Sequence, residues 1–210
     1  MTRIPTPHGE VTVAFDGPER GPLLVLAHGA GSDLTHPFME SVARELAAQG
    51  LYVCRFNFAY TEAGRKAPDR APVLEETFVA VIEAVRGRRR RVFAGGKSMG
   101  GRIAAHVAPR VAGLSGLVFL GYPLHPPGRP EKLRDAPLRE AGVPMLFVEG
   151  TRDPFCPLGT LEPILAELPE ADLAVIDDGD HSFNVRRSSG RSTAEARAEL
   201  VAAVARWVRG

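Results

Sequence analysis

The chain has 210 residues, of which 44% are hydrophobic and 24% are charged, as is ordinary for a globular protein. Its formal net charge of +1 excludes a strong overall field that would draw nucleic acid or an anionic membrane, so we expect neither partner. Two cysteines are too few for a disulfide framework. Because no segment approaches the roughly 18 apolar residues of a membrane span and no apolar signal core opens the chain, we expect a cytoplasmic protein with one domain over residues 1–210.

Strand and helix patterns alternate along the first half of the chain. Residues 10–15 alternate and predict an edge strand, and the continuous apolar run at 23–27 predicts a strand buried on both faces. Apolar residues recur at helical spacing between 39 and 47, and a strand is predicted at 51–56. A second helix is predicted by the spacing over 74–85, followed by a strand at 91–94.

The second half continues the alternation. Further strands are predicted at 117–120, 145–148 and 173–176, and helices at 102–108 and around 196–207. The proline-rich stretch from Gly121 to Val143 is irregular, with at most one short helix around Glu131 to Leu138. This order predicts a three-layer α/β/α sandwich around a mostly parallel sheet.

A G-x-S-x-G pentapeptide, Gly96-Lys97-Ser98-Met99-Gly100, lies between the strand at 91–94 and the helix that follows it. In that context the serine lies on a strained turn that presents its hydroxyl above the sheet. Small residues are needed on both sides because strand and helix approach closely there. The free N–H groups and positive dipole of the helix start favour an oxyanion beside Ser98, so we predict that Ser98 is a nucleophile.

Two further candidates follow later strands. Asp153 lies just past the strand at 145–148, and His181 lies in a loop after the strand at 173–176. The order Ser98, Asp153, His181 is typical of a nucleophile, orienting acid and base on this kind of sheet. The alternative for Asp153 is a turn or helix cap before Pro154. Asp177, Asp178 and Asp180 are rival acids, although Asp180 is close enough to the histidine to favour a loop-capping role.

These residues predict a complete serine hydrolase mechanism. His181 would take the proton of Ser98 as the serine attacks a carbonyl, while Asp153 would fix the imidazole tautomer. The backbone N–H groups of Ala30 and Met99 are the predicted oxyanion hole. This chemistry requires no cofactor and no metal, and the sequence contains neither an H-E-x-x-H nor a C-x-x-C pattern.

Five residues near predicted strand ends are candidates for a substrate pocket. His28 and Gly29 begin a glycine-rich turn after the strand at 23–27. Asn57 follows the strand at 51–56 and either lines a pocket or packs in its loop. Lys97 either selects an anionic acyl group or forms a salt bridge with a neighbouring loop. His125 either contacts substrate or is packed in the proline-rich stretch.

Together, these motifs resemble the alpha/beta-hydrolase superfamily and, within it, the small dienelactone-hydrolase-like group. Residues 95–102 and 121–128 are most similar to the alpha/beta-hydrolase-like domain found in a testis-expressed protein and in a histone-acetyltransferase complex subunit. The resemblance covers roughly residues 9–208. It implies a minimal fold without a large lid and a shallow, open site. True dienelactone hydrolases have cysteine where this chain has Ser98, which argues against lactone hydrolysis.

The predicted function is a serine hydrolase that cleaves carboxylic esters of small or accessible acyl substrates through an acyl-enzyme. The alternatives are a non-catalytic scaffold or binding module, as the resemblance to a complex subunit allows, and a thioesterase or peptidase with the same residues. The arginine run at 86–91 is a further candidate surface for acidic partners. Its place at a helix end, without interleaved aromatic residues, favours a solvated connector.

Overall fold

A computed structural model describes residues 1–168 and 170–210. Within these residues, eight strands form one sheet. The strands are β1 (Thr2–Thr6), β2 (Gly9–Asp16), β3 (Leu23–Ala27), β4 (Tyr52–Phe56), β5 (Val92–Lys97), β6 (Gly116–Leu120), β7 (Met145–Gly150) and β8 (Ala171–Ile176).

The sheet order is β1-β2-β4-β3-β5-β6-β7-β8. β1 pairs with β2, and β2 with β4, in antiparallel fashion, whereas every pairing from β4 to β8 is parallel. β3 and β5 are central, with Val25 opposite both Cys54 and Ala94. The carboxyl ends of the parallel strands therefore meet at one edge, which is where functional residues gather in such sheets.

Helices cover both faces of this sheet. They are α1 (Pro37–Ala48), α2 (Ala59–Glu62), α3 (Ala71–Arg86), α4 (Met99–Val107), α5 (Ala136–Glu140), α6 (Leu158–Leu165) and α7 (Thr193–Arg209). Alternate residues of a buried strand pack into two different hydrophobic cores, one on each face of the sheet. Val25 faces the core shared with α3 and α4, and Leu24 faces the core shared with α1 and α7. The predicted three-layer α/β/α sandwich is confirmed.

Residues 10–15 form a strand as predicted, within β2, but the prediction that this strand is the edge of the sheet was wrong. β1 lies outside β2, with Thr2 opposite Val13 and Thr6 opposite Gly9. Only Ile4 of β1 is buried, so the strand has almost no apolar pattern by which sequence could reveal it. β1 is held at the edge of the sheet by its hydrogen bonds to β2 across a short turn, and burial of its side chains contributes little.

Two helix predictions also shifted. The short helix expected around 131–138 is α5, which begins at Ala136 with Pro137 in its first turn, where proline's missing N–H costs nothing. α4 begins at Met99 instead of Arg102, directly after the strand. In the fully described segment between β6 and β7, α5 is the only α-helix, so no large lid covers the site.

The arginine run at 86–91 is partly used within the fold. Arg86 donates to Glu83 and to the carbonyl of Ala112, and Arg89 pairs with Glu19. These contacts agree with a connector between α3 and β5. Among the described residues, no helix combines the length and apolar character needed to cross a bilayer.

Candidate active site

The turn between β5 and α4 places Ser98 at the carboxyl edge of the sheet. Ser98 has φ 51° and ψ −114°, a conformation that costs a non-glycine residue about 1–3 kcal/mol. Its amide donates to the carbonyl of Leu120 on β6 at 3.1 Å, which anchors the turn. The strained backbone therefore directs the hydroxyl away from both strand and helix.

Two glycines make this turn possible. A Cβ at Gly96 would lie 2.5 Å from the carbonyl oxygen of Ala27, and one at Gly100 would lie 2.4 Å from the same atom. Those distances are far inside van der Waals contact, and the opposing atoms are backbone that cannot rotate away. β3, β5 and α4 can thus approach one another only because these positions lack side chains.

The structure brings the predicted nucleophile, base and orienting acid together. His181 Nε2 lies 2.9 Å from Ser98 Oγ, and His181 Nδ1 lies 2.6 Å from Asp153 Oδ2. Because an ionised carboxylate only accepts hydrogen bonds, Nδ1 carries the proton and Nε2 is free to accept from the serine hydroxyl. This is the geometry of a nucleophile hydrogen-bonded to a base that an acid orients.

Backbone contacts hold Asp153 in this orientation. It follows β7, it is only 4% exposed, and its Oδ1 accepts a hydrogen bond from the amide of Phe155 at 2.8 Å. The Phe155 ring also meets the His181 ring edge to face, with centroids 4.7 Å apart. Phe155 therefore supports both members of the pair. Sequence reasoning missed it, although it lies two residues from Asp153.

The loop after β8 holds His181. Asp180 Oδ1 accepts from the amides of Ser182 at 2.8 Å and Asn184 at 2.9 Å, so Asp180 caps the loop as expected. Phe183 is buried with φ 61° and stacks on Phe38 of α1. The position of the histidine is thus fixed by the hydrogen bonds of Asp180 on one side and by the buried ring of Phe183 on the other.

Asp178, one of the rival acids, is committed elsewhere. Its carboxylate accepts from Arg186 at 2.7 Å and from Arg152 at 3.2 Å. These contacts, led by Arg186, hold the pKa of Asp178 well below its usual range. It joins two loops behind the site and makes no hydrogen bond with His181.

A buried carboxyl group, that of Glu149, and a half-buried lysine, Lys97, whose Nζ is buried, lie close enough to interact with the charge of Asp153. Glu149, at the end of β7, is fully buried, and its Oε1 accepts from the amide of Tyr122 at 2.6 Å. Burial raises the pKa of Glu149 well above its ordinary value, and the charge of Asp153 adds to this shift. Burial lowers the pKa of Lys97 to about 8, against the attraction of Asp153 and Glu149.

Lys97 forms no hydrogen bond with the described part of the chain, so the salt bridge considered for it is not made there. Its Nζ lies 5.6 Å from the centre of the Phe183 ring. Sequence reasoning overlooked Glu149, although its place directly after an apolar strand was an available signal.

Two cavities meet at Ser98. The smaller, of about 290 Å³, is lined by residues that include Ala30, Met99 and His125, and the larger, of about 470 Å³, by residues that include Gly29 and Lys97. Ser98 and Ala30 line both. Ser98 therefore lies at the junction of a cleft with two arms.

Both predicted oxyanion donors lie beside the serine. Within residues 1–168 and 170–210, neither the amide of Ala30 nor that of Met99 is used in a hydrogen bond. Met99 is the first residue of α4, where amides have no partner inside the helix. These two N–H groups are thus available to a ligand at Ser98.

Two of the pocket candidates lie outside these cavities, which corrects the prediction for them. His28 is fully buried, and its Nδ1 lies 2.8 Å from the carbonyl of Gly29 while its Nε2 accepts from the amide of Phe58. Burial lowers the pKa of His28 and favours the neutral ring, which links the backbone at Gly29 and Phe58 inside the protein. Asn57 accepts from the amide of Leu34 at 2.8 Å and donates to Glu62 at 2.9 Å, so both the oxygen and the nitrogen of its side chain are bonded within the protein.

Among the described residues, no group of three or more His, Cys, Asp or Glu side chains could hold a metal ion. Cys156, near Asp153, is buried, and burial raises the pKa of its thiol, which disfavours the thiolate.

Comparison with known proteins agrees with this geometry. The family described as alpha/beta hydrolase domain matches residues 20–209. The chain belongs to this alpha/beta hydrolase family. The match includes the serine turn and both loops that bear Asp153 and His181.

Solved structures of low sequence identity share the fold of this alpha/beta hydrolase. A lid-free a/b serine hydrolase from Xanthomonas campestris is 22% identical, with a TM-score of 0.73 over 98% of this chain and 93% of that one. A dienelactone hydrolase from Anabaena variabilis is 19% identical, with a TM-score of 0.76 over 98% and 94%. A putative alpha/beta hydrolase from Agrobacterium tumefaciens is 14% identical, with a TM-score of 0.79 over 100% and 96%.

Proposed function

We propose that this alpha/beta hydrolase is a serine esterase that cleaves carboxylic esters of small or accessible acyl groups through an acyl-enzyme. The observation that supports this most strongly is the continuous hydrogen-bonded path from Asp153 through His181 to Ser98, with distances of 2.6 and 2.9 Å. Each contact is short enough for proton transfer or for fixing a tautomer.

In the proposed reaction, the oxygen of Ser98 attacks the ester carbonyl while His181 Nε2 takes its proton. The amides of Ala30 and Met99 donate to the oxyanion of the tetrahedral intermediate. His181 then returns the proton to the departing alcohol, which leaves an acyl group on Ser98. A water molecule, deprotonated by the same histidine, attacks the acyl-enzyme, and His181 returns this proton to the Ser98 oxygen as the bond to the acyl group breaks and the acid is released.

The shape of the cleft supports an ester as the substrate. An ester has two arms, one on each side of its carbonyl, and the two cavities likewise extend from Ser98. Their volumes of about 290 and 470 Å³ suit short acyl and alcohol groups. We propose that one cavity holds the acyl arm and the other the alcohol arm.

Steady-state hydrolysis of short-chain 4-nitrophenyl esters tests this proposal. We expect Ser98→Ala to lower kcat/KM by roughly 10³-fold or more, because only the oxyanion donors and substrate binding would remain. The exposed Ser188, which makes no side-chain hydrogen bond within the described residues, provides the matched control. Ser188→Ala should retain the wild-type rate.

A different result would favour a scaffold role, the alternative considered from the sequence. Folded wild-type protein that cleaves no short ester, thioester or peptide substrate would contradict catalysis. Equal activity in wild type and Ser98→Ala would instead show that another group carries the reaction.

A further inference from the structure

The smaller cavity beside Ser98 carries two arginines that the proposed mechanism does not use. Arg102 lies one turn along α4 from Ser98, and its amide donates to the Ser98 carbonyl at 3.1 Å. Arg134 comes from the irregular segment before α5 and lines the same cavity. Both side chains are half-buried. Because Ser98 and Arg102 line this cavity together, Arg102 lies on the side of α4 that borders the serine.

Neither guanidinium is neutralised by a neighbour in the described residues. The carboxylates nearby have other partners, since Glu75 pairs with Arg110 at 3.3 Å and Asp135 pairs with Arg139 at 3.1 Å. Burial and the like charge of Arg102 lower the pKa of Arg134, and no carboxylate offsets them. The two guanidinium groups therefore repel each other across the cavity, and a bound anion would reduce this repulsion.

One carboxylate does line this cavity. Asp69 pairs with Arg65 at 2.7 Å through Oδ1, while its Oδ2 is buried without a hydrogen-bond partner among the described residues. Its charge is offset by Arg65, which leaves the cavity with the net positive charge of Arg102 and Arg134. The free oxygen is suited to accept a hydrogen bond from a substrate hydroxyl or amide.

The backbone around Arg134 fixes its position. Its amide donates to the carbonyl of Leu124 at 2.8 Å, and its own carbonyl accepts from the hydroxyl of the buried Tyr122 at 2.7 Å. Arg102 is fixed in turn by the helix that begins at the nucleophile. The backbone atoms that carry both guanidinium groups are therefore held at the wall of the cavity.

We infer that Arg102 and Arg134 form a subsite for an oxyanion, a carboxylate or phosphate on one arm of the ester, so that the preferred substrates are anionic esters. This inference rests on the proposed esterase function. Paired guanidinium groups offer planar donor pairs that match carboxylate and phosphate oxygens. The anion would anchor one arm in the smaller cavity while the carbonyl reaches Ser98.

A matched pair of esters tests the preference. The 4-nitrophenyl monoester of adipate carries a carboxylate, and the corresponding adipamate ester replaces it with a neutral amide of the same size. We expect the wild type to favour the adipate monoester by roughly ten- to hundredfold in kcat/KM, as expected for charge-assisted hydrogen bonds. In the double variant Arg102→Gln/Arg134→Gln this ratio should fall to about one.

The exposed Arg187 supplies the matched control, because Arg187→Gln removes one positive charge outside the cavity and should leave the ratio at the wild-type value. Equal or reversed preference in a wild type that cleaves the neutral ester would overturn the inference and leave the esterase proposal intact. Failure to cleave either ester would instead contradict the esterase proposal.

Binding to the Ser98→Ala variant tests the subsite without turnover. Isothermal titration with adipate and, separately, with inorganic phosphate should detect binding of at least one of them, and Arg102→Gln/Arg134→Gln should abolish it. Adipate alone would assign a carboxylate and phosphate alone a phosphate ester. Absence of binding by both anions, or binding that survives the double substitution, would overturn the inference.

Discussion

At the scale of single residues, two acids compete for the role of orienting His181. Asp153 contacts the imidazole directly, whereas Glu149 is fully buried behind it and faces the amide of Tyr122. Burial raises the pKa of Glu149 and favours its neutral form, while the amide of Phe155 donates to Asp153 and holds its carboxyl group against the imidazole. The two carboxyl groups are thus separated in role by what surrounds them.

Substitution by the isosteric amides distinguishes them. Asp153→Asn should lower kcat for ester hydrolysis by roughly 10³- to 10⁴-fold, because the amide favours the wrong tautomer of His181. Glu149→Gln should cost less than about tenfold, since it keeps an acceptor for Tyr122 and removes no charge required by the histidine. A loss with Glu149→Gln as large as that with Asp153→Asn would assign the orienting charge to Glu149.

Most of the candidate site residues could be predicted from the sequence, and the exceptions have a physical reason. Ser98, Asp153 and His181 stand at fixed places after strands, so chain order alone brought them to one edge of the sheet. His28 and Asn57 occupy similar places, yet their polar groups turn inward to satisfy buried amides. Sequence shows which residues follow a strand but not which way each side chain points.

At the scale of elements, the site depends on how closely α4 crosses β3. A methyl group at Gly100 would lie 2.4 Å from the carbonyl oxygen of Ala27 and 2.8 Å from that of His28. Relief would require α4 to move away from the sheet, and Met99 and Ser98 would move with it. The turn between β5 and α4 thus couples packing to the position of the nucleophile.

Gly100→Ala should therefore destabilise the fold by about 1–3 kcal/mol, as overpacking does, and lower activity as well. Gly159 provides the control because it lies in α6 with no atom within 4 Å of the place that an alanine methyl would take, so Gly159→Ala should be neutral or stabilising by up to about 1 kcal/mol. Urea unfolding measures both variants. Wild-type stability in Gly100→Ala would contradict the close approach.

The sequence predicted the strands whose burial produces a continuous apolar run, and it missed elements without a recognisable apolar pattern. The buried strands β3 and β6 are continuous apolar runs, whereas β1 buries only Ile4 and its hydrogen bonds to β2 leave no trace in composition. Similarly, the four-residue α2 is too short for a helical period to be recognised. Length does not explain why α6 was not predicted, since it has eight residues and buries Leu161 and Ile164. Pro163 lies inside this helix, and an internal proline is more typical of a helix end or a loop.

At the scale of the whole molecule, the parallel sheet gathers residues from distant parts of the chain. Ser98 and His181 are 83 positions apart, and Asp153 and His181 are 28 apart. No local contact joins them, so their meeting depends on the order of β5, β7 and β8 in the sheet. The cleft above that edge adds cationic side chains from α4 and from the segment before α5, which sequence order did not indicate.

In the proposed mechanism, Ser98 becomes a covalent nucleophile because His181 activates it. Intact-mass analysis after treatment with a fluorophosphonate, followed by peptide mapping, tests this most directly. We predict one adduct per chain, located on Ser98, absent in Ser98→Ala and formed far more slowly in His181→Ala. A folded wild-type protein that gains no adduct, or gains it on a residue other than Ser98, would contradict this mechanism.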